Sequence, residues 1–244
     1  YGQGMHLGVA RFKINAGKKA KLLSAELVPV DAGKYVADRE IEELIAESRA
    51  EYPFLREVIA RLDRQATRKY YRESTIGNLL ADALRAPAQA DVGLMPAGAI
   101  RADLEAREVT REEVMNVFPF TDKVSVLTLP GNVLMQVIEK SLSLEYGLAQ
   151  FSGLRLTYDS RRPIGSRLIT VNVGGEELNT DNQYRLVTGS FTANGGENYR
   201  MFEGLPLAIS EVSVSDALMQ RFNQLNDLTL PALGRQTDLA VTSY

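Results

Sequence analysis

The apolar repeat of this chain switches between a period of two and a period of about 3.6, and that switching limits the folds open to it. In residues 8–30, "GVARFKI" and "LLSAELVPV" alternate on either side of the turn-like "NAGKKAK", which predicts a hairpin. Within "DAGKYVADREIEELIAESRA" the repeat becomes helical. Ile41, Leu44 and Ile45 recur at i, i+3 and i+4 among charged residues, and Pro53 should end or bend the helix. Residues 1–30, 31–62 and 63–244 are therefore read as a hairpin region, a linker with a helix, and a second domain.

The second domain mixes the two periods without strict βαβ alternation. "RESTIGNLLADALRA" carries an apolar stripe of Ile76, Leu79, Leu80, Ala83 and Leu84, with Ser74 or Thr75 as its cap. Thr110 stands three residues before Glu113, a capping-box pattern opening a short helix. "DVGLMPAG" and "DKVSVLTLPG" read as strands, "NVLMQVIEKSLS" as a helix, and "VSDALMQRFNQLN" as a last helix. "LRLTYD", "RLITVNVGGEEL" and "QYRLVTGSF" look like antiparallel strands joined by turns. The predicted class is α+β, with a mixed, largely antiparallel sheet and flanking helices.

Composition removes several kinds of chemistry. There is no Cys among the 244 residues and a single His, His6, so thiolate nucleophiles, zinc–cysteine sites and a multi-histidine metal centre are excluded from these residues. Ser-His-Asp catalysis needs a His held by neighbours, and a His near the start of the chain is no such residue. No catalytic or metal-ligating residue is assigned within the chain. A net charge of -3 argues against a nucleic-acid partner. No run of apolar residues predicts a membrane span, and "YGQGMHLGV" lacks the pattern of a signal peptide. A chain opening on Tyr1 is expected to be a fragment or a processed form. "GQGMHLG" has the wrong glycine spacing for a dinucleotide fingerprint.

Candidate binding groups cluster at element ends. Arg72 precedes a helix and Arg101 follows the glycine turn of "PAGAI", positions where a guanidinium grips phosphate or carboxylate. The alternatives are a surface role or ion pairs with Glu73 or Asp103. Phe120 in "VFPFTDK" and Phe191 in "SFTANGGEN" sit on loops; each ring either stacks on a planar ligand or packs into the core.

Five segments taken together, "RESTIGNLLADAL", "GAIR", "FPFTDKVSVLTLPGNVLMQVIE", "FSGLRLTYD" and "FTANGGENYRMF", resemble the C-terminal domain of 5'-nucleotidases. UDP-sugar hydrolases and 2',3'-cyclic-nucleotide phosphodiesterases belong to the same group. The opening "YGQGMHLGVARFKI" is similar to the last strands of that group's N-terminal calcineurin-like phosphoesterase domain. The resemblance implies a metal-dependent phosphohydrolase whose dinuclear divalent centre (zinc, manganese or similar) lies in the N-terminal domain. The C-terminal domain would bind a nucleoside or nucleotide. Phe120 and Phe191 would sandwich the base, with ring planes about 7 Å apart, twice a van der Waals contact. Arg72 and Arg101 would hold phosphate or ribose, Gly153 would offer a backbone contact near the base, and Gly195 and Gly196 would turn the chain so that Glu197 meets the ribose. Asp122 stands close to where the family often has an asparagine. Pro96 and Ala99, in "PAGAIR", depart from the family's N-x-G-G-I-R. Pro96 has no side-chain donor for a base, so a different base, a nucleotide-sugar or a non-nucleotide phosphate ester stays open. So does a non-catalytic binding module. The resemblance further implies a periplasmic, secreted or cell-surface protein.

Overall fold

The computed structural model describes residues 4–224 and 227–240, in two units, Tyr1–Pro53 and Phe54–Tyr244. The first three residues of the opening stretch, and Leu225 and Asn226 at the end of the last predicted helix, lie outside the described residues. In the first unit, β1 (His6–Lys13) and β2 (Lys21–Pro29) pair antiparallel with a register shift between Arg11 and Phe12. Helix α1 (Arg39–Ala50) is capped by Asp38, whose carboxylate accepts the Glu40 and Ile41 N–H groups at 3.0 and 3.3 Å. Leu7, Phe12, Leu22, Leu27, Ile41 and Leu44 of this unit are all exposed.

In the second unit the described strands form three sheets. The central one has the order β12 (Leu207–Ser213), β6 (Lys123–Pro130), β11 (Gln183–Gly189), β4 (Val92–Met95), β7 (Gln150–Ser152). Every pairing in it is antiparallel except β11 with β4. A second sheet runs β10 (Glu176–Glu177), β9 (Leu168–Val173), β8 (Leu154–Tyr158), β14 (Gln236–Asp238), and a third β13 (Asp227–Leu228), β3 (Val58–Leu62), β5 (Glu108–Thr110). The α+β class with a largely antiparallel sheet is what the chain adopts. Two local expectations change. β11 does not join β8 and β9 but inserts between β6 and β4, and Val58–Leu62, read as part of the linker, form β3 inside the second unit.

Because strand side chains point alternately to opposite faces, the central sheet feeds two cores. Leu127, Leu129, Leu186, Val92 and Leu94 face a cluster completed by α4 (Gly131–Leu142) through Leu134, Val137 and Ile138. Val187 and Met95 face the other cluster, with Ile76, Leu79, Leu80 and Leu84 of α2 (Thr75–Ala88) and Leu218 and Phe222 of α6 (Val214–Gln224). Burying each such aliphatic side chain stabilises by roughly 1.5–3 kcal/mol. Helix α2 comes very close to the sheet because β4 carries Gly93, where an added Cβ would lie 2.5 Å from the Ala81 carbonyl oxygen. Ser74 caps α2, its Oγ accepting the Gly77 N–H at 3.2 Å. Thr110 and Glu113 form the capping box of α3 (Arg111–Val117).

Candidate ligand-binding site

The one parallel pairing of the central sheet sets where its loops meet. The ends of β4 and β11 lie side by side, and β6, antiparallel to β11, begins at the same edge. Three loops therefore converge: 96–101 after β4, 118–122 before β6, and 189–197 after β11, which includes the one-turn helix α5 (Ser190–Ala193). Between them lies a pocket of about 480 Å³. Arg101, Phe120, Asp122, Phe191 and Glu197 all line it, with Pro96 and Ala99.

Both rings reach solvent rather than the core: Phe120 is 37% exposed and Phe191 61%. Phe120 is held edge-on against buried Phe118, with centroids 5.2 Å apart at 75°. On its other contact, the Arg101 guanidinium stands 5.2 Å from the ring centroid, a cation–π distance. Phe191 lies against the backbone of Gly196, where an added Cβ would come within 2.5 Å of the ring carbons Cδ1 and Cε1. Gly196 is thus required by the ring's position, and Gly195, at φ +89°, makes the turn that brings it there.

Asp122 joins the two aromatic loops. Its Oδ1 accepts the Phe191 N–H at 2.6 Å and the Ser190 hydroxyl at 3.0 Å, while Ser190 Oγ accepts the Lys123 N–H at 3.1 Å. Glu197 is held in the left-handed region at φ 54°. Its Oε2 is buried with no hydrogen-bond partner among the described residues. Burial pushes its carboxyl up to about 7, against the opposing pull of Lys140 and Arg101 and with repulsion from Asp122. Burial, with some repulsion from Glu197, also raises the neighbouring Tyr199 hydroxyl.

Arg72 and Gly153 do not line this pocket. The Arg72 carbonyl accepts from Gln150 Nε2 at 3.1 Å, and its charge acts on Tyr158, whose hydroxyl burial pushes up to about 12. Gly153 borders a separate cleft with Arg85 and Arg155. Neither ion-pair alternative for the arginines is seen among the described residues. Glu73 accepts the backbone N–H groups of Gly234, Arg235 and Gln236, and Asp103 accepts the Arg68 N–H at 2.7 Å. Sequence reasoning missed Lys140, Tyr146 and Gly147, which meet Pro96 and Glu197 in a narrow adjoining cleft. They lie on a helix end and loop between two of the resembling segments, directly after Glu139 and shortly before Phe151, and no local pattern marks them.

Among the described residues no group of three or more His, Cys, Asp or Glu side chains is placed to hold a metal ion. The side chains here therefore do not fit a dinuclear centre, and the pocket offers stacking surfaces, guanidinium and carboxylate. No described helix is long and apolar enough to cross a membrane.

The chain is 31% identical over 154 residues to the trifunctional nucleotide phosphoesterase YfkN of Bacillus subtilis, covering 58% of this chain and 10% of that protein. It is 26% identical over 247 residues to a 5'-nucleotidase of Vibrio vulnificus, covering 91% of this chain and 44% of that one. Its fold matches a 5'-nucleotidase precursor of Thermus thermophilus with a TM-score of 0.86 at 24% identity, over 97% of this chain and 50% of that one. The sulfate thiohydrolase SoxB of Thermus thermophilus shares the fold at a TM-score of 0.76 and 18% identity, over 98% of this chain and 45% of that one. The chain thus spans half or less of the length of these relatives. Residues 56–204 match the family described as 5'-nucleotidase, C-terminal domain, and the chain belongs to that family.

Proposed function

We propose that this chain is the substrate-binding part of a metal-dependent, 5'-nucleotidase-like phosphohydrolase. A nucleoside base stacks between Phe120 and Phe191, Arg101 faces the anionic part of the substrate, and Glu197 accepts the sugar hydroxyls. The observation that carries the reading is that two solvent-exposed rings, from loops far apart in sequence, line one pocket and are tied to each other through Asp122. Stacking on such rings contributes roughly 1–3 kcal/mol per base.

Residues 1–30 are then the end of a preceding metallophosphoesterase domain, and the linker that follows gives way to the binding domain before β3 (Val58–Leu62). The exposed apolar side chains of β1 and β2 suit a hairpin that belongs to a larger domain. The dinuclear divalent centre expected in that domain would supply Lewis-acid activation and the attacking water. What this chain contributes is binding: energy gained far from the scissile bond orients it and excludes water from it. The group's usual location supports a place in the periplasm, outside the cell or at its surface.

A second reading, a phosphoesterase for a non-nucleotide substrate or a non-catalytic module, is favoured by one feature. Pro96 offers no side-chain donor, and Asp122 Oδ1 is engaged by the Phe191 backbone and Ser190, so these two positions provide little to read a base edge. Titration of the chain with adenosine, AMP, uridine and UDP-glucose separates the two. Saturable nucleoside binding that disappears in Phe191→Ala is expected; a folded chain that binds none of them overturns the nucleoside reading.

A further inference from the structure

Elsewhere in the second unit, a cleft of about 590 Å³ is lined by four arginines: Arg85 on α2, Arg155 on β8, Arg221 on α6 and Arg235 beside β14. One carboxylate, Asp82, faces them. It is already neutralised, because Arg235 grips both of its oxygens at 2.9 and 2.7 Å and the Ser152 hydroxyl donates to Oδ1. The other three guanidinium groups have no carboxylate partner among the described residues. Arg85 uses Nε on Ser152 Oγ at 2.7 Å, and Arg155 uses one terminal nitrogen on the Gly234 carbonyl at 2.9 Å. Arg221 Nε is buried and has no hydrogen-bond partner among the described residues. A charged donor withdrawn from water without an acceptor is costly, and such a group is commonly completed by a ligand or water.

The cleft is also built to stay open. Gly153, at φ +80°, lets the Arg85 stem lie along the backbone, since an added Cβ would stand 2.8 Å from Arg85 Cδ and 2.0 Å from the Asp91 carbonyl oxygen. At the rim, Gly174 and Gly175 both have positive φ and carry no side chain over the opening. Ser152, itself held by the Asp82–Arg235 pair, fixes Arg85 in place. Planar, always-charged forks that converge without counter-charges suit a compact oxyanion with several acceptor oxygens.

We propose that this cleft binds a phosphate group, either free phosphate or the terminal phosphate of an ester. It is distinct from the pocket between Phe120 and Phe191, with which it shares no lining residue. The proposal does not depend on the nucleoside reading.

The test is calorimetric titration of the 244-residue chain with inorganic phosphate and with two esters that carry no base, glycerol phosphate and glucose phosphate, at constant ionic strength. Saturable binding is expected that Arg155→Gln and Arg221→Gln each weaken by about tenfold, the scale of one charge-assisted hydrogen bond, and that Arg161→Gln, at an exposed arginine outside both sites, leaves unchanged. Tighter binding of inorganic phosphate than of the esters identifies the free ion as ligand, and the reverse order identifies an ester. Should Arg221→Gln fail to fold, the exposed Arg155 gives the same answer. An absence of saturable binding overturns the proposal, as does binding that survives both cleft substitutions or is weakened as much by Arg161→Gln.

Discussion

The backbone N–H of Phe191 donates to the carboxylate of Asp122 at 2.6 Å across 69 residues of sequence. This bond, with the Ser190 hydroxyl on the same oxygen, ties the loop of Phe120 to the loop of Phe191. Asp122 thus acts by positioning a ring, whatever it touches in a ligand. Asp122→Ala is expected to weaken nucleoside binding by about tenfold, the free energy of one such bond. Asp122→Asn keeps an acceptor oxygen and should recover much of that loss. Equal losses in the two variants, in a folded chain, would show that the carboxylate's charge rather than its acceptor role matters.

Gly196 supplies an independent handle on the same ring. An added methyl would meet the Phe191 ring at 2.5 Å and the Phe191 carbonyl oxygen at 2.7 Å, so the ring must leave its place. Gly196→Ala should reduce nucleoside affinity nearly as much as Phe191→Ala, for which a stacked base implies roughly 1–3 kcal/mol. Affinity at the level of the unaltered chain in Gly196→Ala would count against the ring's role.

Glu197 makes stability depend on pH. Its carboxyl rises from 4.5 to about 7, chiefly through burial. A raised folded-state value means the protonated form is preferred in the folded chain. The contribution is complete below the unfolded value and is lost as pH rises through about 7. Glu197→Gln, which cannot ionise, is expected to raise the melting temperature at pH 8 by a few degrees, at roughly 2–4 °C per kcal/mol for a chain of this size. At pH 4 the two should melt together, so a gain of equal size at both values would refute ionisation as its source. Arg101, Lys140, Asp122, Tyr70 and Tyr199 are the charged and titratable neighbours through which the shift is modulated.

The close approach of α2 to the central sheet rests on Gly93. Gly93→Ala would press a methyl to 2.5 Å from the Ala81 carbonyl oxygen and 3.1 Å from Arg85 Cβ. Overpacking of this kind costs about 1–3 kcal/mol, measurable by urea denaturation. An unchanged midpoint would mean that the helix shifts freely on the sheet.

Short windows of the chain carry its local structure. The stripe of Ile76, Leu79, Leu80 and Leu84, the Ser74 cap and the Thr110–Glu113 capping box are each specified within a few residues, and the helices form where those signals stand. The alternation in "VSVLTL" likewise specified which side chains of β6 share a face. The family was also legible, because motifs such as "FPFTDK" and "FTANGGEN" identify it by residue type and order. Strand neighbours were not legible in this way. β11 carries the same alternation whether it pairs with β9 or with β4 and β6, and only burial of Leu186 and Val187 in two different cores selects the latter. That choice brings loops 96–101, 118–122 and 189–197 to one edge, while Gly153, at the bend between β7 and β8, borders the arginine cleft instead. Periodicity tells a strand which of its faces to bury, but the partner is set by long-range packing, which no window of neighbouring residues contains.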